Sequence, residues 1–569
     1  MAMAETFTQD NLSLTISTPL GQNKLLLTRV CGEESLSGLF HFTLDLLSED
    51  GDLDFESIVG KSATITLGLP SGSKRYFNGI VGRFVQAGRD ARFTTYYADL
   101  HPWLWLLTMT RNCRIFQNQS VPDIIEAVFK DLGQTDYKNE LKSTYAPREY
   151  CVQYQESAFD FVSRLMEDEG IFYFFQHEEG KHTLILADDA DAHTDCSDPA
   201  TVEWGTSFSD RQGDDIVIAC TYAQQVIPTA YAMDDFNFET PSTDLLVTVQ
   251  GTNGQRRLYD YPGGYTKKDA GEKKANKRLD AAELPQKLLQ GNGYCPTFVA
   301  GCKFTLSGHN RGDANSAYVL RWVSHTMTQG HYANSFEAFP ATASFCPPQV
   351  TSKPRIVGSQ TARVVGKQGE EIWTDKYGRI KVQFPWDQTG KDNENSSCWI
   401  RVAQSWAGKG WGTLFIPRIG MEVVVSFLEG DPDRPLVIGT VYNGAQTVPY
   451  ALPDDQNTST LKTRTTKQGQ GGNEIRFNDT KDSEELFVHA ERDLKLEVKN
   501  DHTVDIQKGN ETHKVKGTRD LSIEGDETHA NKADYTHRVS GNYTLRIKGD
   551  LTIEAQGVIT IKGSMIKLN

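Results

Sequence analysis

The sequence has no apolar run long enough to cross a bilayer. Its most hydrophobic stretch, Trp103 to Met109, is roughly a third of what a spanning helix needs. The start, MAMAETFTQD, lacks both the basic and the apolar region of a secretory signal, so a chain with this start that leaves the cell needs another machine to export it. Positive charge is in short supply. There are 59 Lys and Arg against 75 Asp and Glu, a formal net charge of -16, and such a field repels polyanions, so no nucleic-acid partner is expected. Cysteine is sparse and unpatterned. The nine present cannot all pair within one chain, which suits small core residues in a reducing cytoplasm and predicts no disulfides.

Motifs for catalysis are missing too. Neither a Gly-x-Ser-x-Gly elbow nor a phosphate-binding loop occurs. HEEGKH (177–182) resembles a zinc-protease motif, but that motif sets its histidines four apart on a helix so both rings face one ion. Here His177 and His182 are five apart with no helix signal. Asp50, Asp52 and Asp54 begin like a calcium loop, yet Phe55 stands where glycine is needed and Lys61 where the bidentate glutamate belongs, so an acidic surface turn is the reading. Cys295 and Cys302 have no second pair to complete a tetrahedral site. No catalytic residue, resident metal or cofactor is expected.

What is present is length, glycine and alternation. The 569 residues exceed any single domain, and 48 glycines with 38% hydrophobic residues describe a turn-rich, mainly β protein. Segments such as LSLTIS (12–17), KLLLTRV (24–30), FHFTLDLL (40–47) and SATITLGL (62–69) alternate with period two and predict strands. Helices are expected after Ser120, with Pro122 in the first turn and Gly133 as stop, and after Ser157, with Asp160 near its start and Gly170 at its end. A charged helix is expected over Lys267–Leu284, ended by Pro285. Residues 372–444 hold at least four short strands (GRIKVQF, CWIRVAQ, GTLFIPRI with MEVVVSFLEG, PLVIGTVY) and glycine turns suited to a small closed barrel. Residues 366–445 carry nine Lys or Arg against ten Asp or Glu, so this barrel reads as a scaffold rather than a nucleic-acid binder.

The last third carries a repeat. Gly509, Gly517, Gly525, Gly541, Gly549 and Gly557 are multiples of eight apart, and the one missing position, 533, is Ala. Two and four residues before the small residue stand apolar side chains: Leu521 and Ile523, Leu545 and Ile547, Ile553 and Ala555. Each octad is a one-faced strand with a glycine corner, too small to offset its own backbone entropy, so the strands must stack on other chains. Nine octads from about Leu494 give a rod of roughly 45 Å at about 4.8 Å per strand. Val504 and Ile506 have the opposite parity, so an extra residue is absorbed near Gly509, as at a bulge.

Three long segments resemble VgrG, the type VI secretion spike related to the hub and spike of contractile phage tails. They are IWTDKYGRIKVQFPWD (372–387), CWIRVAQSWAGKGWGTLFIPRIGMEVVVSFLEGDPDRPLVIGTVYNG (398–444) and GGNEIRFNDTKDSEELFVHAERDL (471–494). CVQYQESAFDFVSRLMEDEGIFYFF (151–175) and YDYPGGY (259–265) resemble it as well. The resemblance implies a phage-hub-like pair of β-barrels over 1–365, an OB-type barrel over 366–450, a neck over 451–487 and a triple-stranded β-helix over 488–569 in a homotrimer. It also implies partners: the hexameric Hcp tube, a PAAR-repeat tip protein, baseplate components, and effector cargo with its chaperone or adaptor. The implied life history is assembly in the bacterial cytoplasm, then export without a signal peptide by sheath contraction, which drives the spike mechanically through the target membrane.

Some relatives carry a lysozyme domain between barrel and needle, but about forty residues separate Gly444 from Val488, too few for one. Others carry an effector domain after the needle, whereas this sequence still reads as strand at Asn569. Met565, Ile566, Lys567 and Leu568 are the expected tip-binding surface, because a blunt β-helix end leaves strand groups and apolar core to be capped. His513, His529 and His537 share the octad phase of Leu521 and Leu545, so a threefold axis could gather each into a ring able to bind a metal or anion; the alternative is solvation. The function expected is a non-enzymatic puncturing spike. The alternatives are a hydrolase that loosens the envelope, a glycan-binding adhesin, and the tail spike of a phage-derived injection system.

Overall fold

A computed structural model describes residues 7–197, 199–205, 215–251 and 256–568. It divides into two units, one running to Glu491 and the other starting at Arg492. The first unit opens with six strands, β1 (Leu14–Ser17), β2 (Leu26–Ser35), β3 (His41–Ser48), β4 (Ser62–Gly68), β5 (Lys74–Arg89) and β6 (Thr94–His101). They lie in the order β1-β4-β5-β6-β3-β2. Alternation decides their faces: Phe42, Leu44 and Leu46 of β3 point into the core while His41 and Thr43 do not.

Six more strands, β7 (Thr201–Trp204), β8 (Ile216–Gln224), β9 (Lys287–Gly293), β10 (Lys303–Ser307), β11 (Ala317–Thr328) and β12 (His331–Pro340), close on themselves in the order β11-β10-β7-β8-β9-β12 because β12 returns to β11. Strand β11 belongs to both barrels. Its first residues pair with β10 and Trp322 to Thr328 pair with β2, while its register against β12 shifts between Leu320 and Trp322. The paired hub barrels implied by the resemblance are therefore one continuous twelve-stranded sheet, folded twice around two cores.

The helices follow their caps. In α1 (Val121–Asp131), Ser120 and Asp123 form a reciprocal capping box. In α2 (Ala158–Glu169), the Ser157 hydroxyl accepts from the Asp160 N–H at 2.9 Å, and Gly170 ends the helix at φ +70. The apolar stripe Phe161, Leu165 and Met166 of α2 is buried in the first barrel's core. The charged helix, α3 (Lys268–Glu283), is joined to α2 through Asp168, which takes Arg278 and Lys274 at 2.8 Å each.

The small barrel contains β13 (Gln360–Val365), β14 (Lys381–Gln383), β15 (Arg401–Val402), β16 (Glu422–Phe427) and β17 (Pro435–Val441) in the order β14-β13-β16-β17-β15. Reciprocal backbone bonds between Ile380 and Ile400, at 2.8 and 2.9 Å, close it. Two sequence expectations differ here. Strand β13 lies within the stretch assigned to the hub, and GTLFIPRI beyond Gly412 is not a strand, since Pro417 interrupts it and Phe415 N–H bonds the Gln404 side chain instead of a neighbouring strand. The stretch expected as a neck holds a three-stranded antiparallel meander, β18 (Thr458–Lys462), β19 (Glu474–Asn478) and β20 (Glu485–His489). Its apolar residues Leu461, Ile475, Phe477, Leu486 and Val488 are all exposed in one chain, so burial could not mark these strands.

Candidate assembly interface

From Arg492 onward every described residue is exposed, and no residue there is assigned to a strand. Among the described residues, no backbone hydrogen bond ties one octad to the next. The chain nevertheless keeps the period. It bends at 491–492, 499–500, 507–509, 516–517, 524–525, 532–533, 540–541, 548–549 and 556–557. The period therefore reaches two corners earlier than the glycines reveal, at Arg492 and Asn500.

The glycines divide into two kinds. Gly509 has φ +108, a conformation that favours glycine, and it stands where the apolar positions change parity from Leu494, Leu496, Val498, Val504 and Ile506 to Val515 and Leu521. Gly517, Gly525, Gly541, Gly549 and Gly557 are not left-handed, and a Cβ at any of them would meet nothing within 4 Å. Neither backbone conformation nor crowding inside the chain accounts for these five.

The apolar face is just as unpartnered. Leu521 is 64%, Leu545 56% and Ile553 65% exposed. So many large apolar residues in a row, each contributing about 1.5–3 kcal/mol when buried, mark a protein interface rather than a solvated surface. The expected tip residues Met565, Ile566 and Leu568 are exposed, as is Lys567. His513 and His529 each lie against a glutamate of the same face, Glu511 at 2.5 Å and Glu527 at 2.6 Å, while His537 packs edge-on against Tyr543.

In the hub, HEEGKH forms a β-hairpin with His177 directly across from His182. Both rings are buried and committed to Asn78. His182 Nδ1 lies 2.7 Å from Asn78 Oδ1, and His177 Nδ1 3.1 Å from both the Asn78 N–H and its carbonyl. Burial pushes His177 down to about 4 and His182 down to about 3. Among the described residues of the single chain, no group of three or more His, Cys, Asp or Glu is placed to hold a metal.

Sequence reasoning missed a buried ionic cluster nearby. Glu34 on β2 meets Arg75 at 3.2 Å and His325 at 3.1 Å, and Arg75 also donates to the carbonyls of Pro296 and Phe298 at 2.6 and 2.8 Å. His325 Nδ1 lies 2.7 Å from the Tyr332 hydroxyl. Burial favours a neutral Glu34, yet its bond to His325 and the charge of Arg75 hold it below the usual carboxylate range. The cluster fastens the two barrels along the β2–β11 seam. It offers no open site for a substrate.

Comparison with known proteins gives the assembly its context. Residues 33–331 match the phage tail baseplate hub (GPD) family, 362–442 the type VI secretion system/phage-baseplate injector OB domain, and 459–565 the bacteriophage T4 gp5 C-terminal trimerisation domain. The last match starts at the exposed meander and runs through the octads. The type VI secretion system spike protein VgrG1a of Pseudomonas aeruginosa is 43% identical over 508 residues, 86% of this chain and 79% of its own length. The chain belongs to the VgrG family of type VI secretion spikes. VgrG1b of the same organism is also 43% identical, over 86% of this chain and 68% of its own length. The actin cross-linking toxin VgrG1 of Vibrio cholerae is 35% identical, with the match covering 84% of this chain and 46% of that toxin. Among solved structures, the E. coli c3393 protein, described as a type VI secretion component similar to T4 gp27 and gp5, shares the fold at TM-score 0.56 and 22% identity. That match covers 75% of this chain and 99% of c3393. A chain of a solved Francisella PdpA–VgrG complex shares it at TM-score 0.52 and 10% identity, over 82% of this chain and 76% of that one. As in its family, the chain is a mainly β puncturing spike, and among the described residues no helix is long and apolar enough to cross a membrane.

Proposed function

We propose that this spike acts as a homotrimer whose three octad repeats wind into one β-helix, and that it works mechanically rather than as an enzyme. The carrying observation is that residues from Arg492 on keep an eight-residue period while burying nothing within one chain. The match of residues 459–565 to a trimerisation domain supports three chains rather than two. Three-fold closure gives every sheet edge a partner and leaves the charged positions of the opposite phase, such as Lys514, Lys516 and Asp526, in water.

In this reading the hub sits on the hexameric Hcp tube, a PAAR-repeat protein covers Met565, Ile566, Lys567 and Leu568, and baseplate components hold the particle before sheath contraction. Effectors travel on it, loaded with the help of a chaperone or adaptor. Assembly takes place in the bacterial cytoplasm and delivery occurs in the target cell. A Francisella VgrG is solved in complex with a second protein, PdpA, and that association supports the cargo role. The cross-linking activity in the name of the Vibrio cholerae relative is assigned to that protein, of which the match spans less than half.

The test is complementation of a strain lacking its spike, read as Hcp released to the medium and killing of competitor cells. The full chain restores both, and a Leu521→Asp, Leu545→Asp variant restores neither. Full delivery by that variant would overturn the reading.

A further inference from the structure

Not every octad fills its inward face with apolar residues. The slot four before the corner holds Leu521, Leu545 and Ile553 in three octads and His513, His529 and His537 in three others. The slot two residues earlier holds Glu511 beside His513 and Glu527 beside His529, so the same Glu-x-His element recurs after two octads. Both pairs are made: His513 Nε2 lies 2.5 Å from Glu511 Oε1, and His529 Nε2 lies 2.6 Å from Glu527 Oε1. His537 differs. Tyr535 precedes it, and its ring packs against Tyr543 with centroids 5.3 Å apart.

A carboxylate on one ring nitrogen fixes the orientation and tautomer of an imidazole and leaves the other nitrogen with its lone pair free. Metal-ligating histidines are held this way. Each chain offers one such Nδ1 at each of two levels, and a single chain completes no site. Three chains about one axis bring three Nδ1 atoms to one height, twice. Between the two levels the same phase carries Arg519, so Glu511, Arg519 and Glu527 alternate in sign along the axis, while Lys514, Lys516 and Asp526 fall on the opposite phase.

We propose that the assembled spike binds two divalent transition-metal ions on its axis, one through three His513 and one through three His529, with Glu511 and Glu527 orienting the rings. This rests on the trimer reading. Imidazole nitrogen selects zinc-like ions over calcium and magnesium, and the positions left on each ion go to water or a small anion. His537, packed edge-on against Tyr543 and with no glutamate beside it, is not a ligand. The ions cross-link the three chains at two heights, and a ligand that binds only the assembled form stabilises it by mass action.

The experiment uses full-length, tag-free protein dialysed with zinc, then separated from free metal and analysed for zinc content, with the particle mass read on the same sample. The wild type is expected to hold two ions per three chains. His513→Leu and His529→Leu each lose one, the double variant loses both, and His537→Leu keeps both. Leucine is chosen because the repeat itself uses it in this slot, so the variants keep the assembly. A trimer free of zinc, or one whose double variant binds as much as wild type, overturns the metal proposal alone. A monomeric sample overturns it together with the trimer.

Discussion

The carboxamide of Gln329 pairs with Leu14 as a neighbouring strand would: Oε1 accepts from the Leu14 N–H at 3.2 Å, and Nε2 donates to the Leu14 carbonyl at 2.6 Å. The same Nε2 reaches the Leu27 carbonyl at 3.2 Å, so one side chain at the β11–β12 turn joins β1 to β2. Gln9 does the same for Ile16, accepting at 2.8 Å and donating at 3.1 Å. Replacing Gln329 with Leu leaves a part-buried N–H and carbonyl unpaired, a loss of about 2 kcal/mol. Hydrogen exchange should quicken at Leu14 and in β1 while β8 and β9 stay protected. Unchanged exchange at Leu14 would contradict this closure.

Acid should loosen the hub before it affects the small barrel. Burial sets His177 near 4 and His182 near 3, and lowers His325, all below the value of about 6.5 for an unfolded chain. A histidine depressed in the folded state favours folding above its unfolded value, and that advantage is lost as pH falls from about 6.5 towards the folded value. Glu34, also depressed, adds a loss in the same direction at lower pH. His177 alone accounts for about 3 kcal/mol between pH 6.5 and 4. Calorimetry of the full chain should show the hub transition falling steadily from pH 7 to pH 4.5, with a shallower slope for His177→Gln. A transition that does not move with pH would rule this out.

Gly525 separates packing within a chain from packing between chains. Its backbone is not left-handed and the space for a Cβ is open, so Gly525→Val is tolerated by a lone chain. In the proposed trimer, close approach of two neighbouring chains at this corner leaves no room for valine. The variant is expected to fold its hub normally by near-ultraviolet circular dichroism and to lose the assembled particle or unfold it at a lower temperature. An assembly as stable as the parent would show that the glycine serves no contact.

The tip calls for a test by a partner. Ile566→Asp places charge in the surface expected to be capped and should weaken binding of a purified PAAR-repeat protein by about tenfold or more, with the particle mass unchanged. Titration calorimetry reads this directly. Equal affinity for both proteins would move the tip contact elsewhere.

Local signals were readable in the sequence. Ser120, Ser157 and Gly170 placed two helices, and the charged segment expected over Lys267–Leu284 is α3, Lys268–Glu283. Alternation placed strands such as β3, and the octad period was visible from six glycines. Long-range relations were not. Glu34 and His325 stand almost three hundred residues apart, and neither has a local signature of the bond between them. Gln329 looks like a surface residue because its role is to replace backbone on strands about three hundred residues away in sequence. The corners at Arg492 and Asn500 carry no glycine, so they became visible only as bends. The meander after Thr458 escaped for a related reason, since its apolar side chains face no partner in one chain.

The central claim is that the octads are completed by other copies of the same chain. Light scattering coupled to size exclusion, run on the full-length protein over a wide range of dilution, tests it most directly. A particle of three chains that persists on dilution is the predicted result, and a single chain at every concentration would contradict the account.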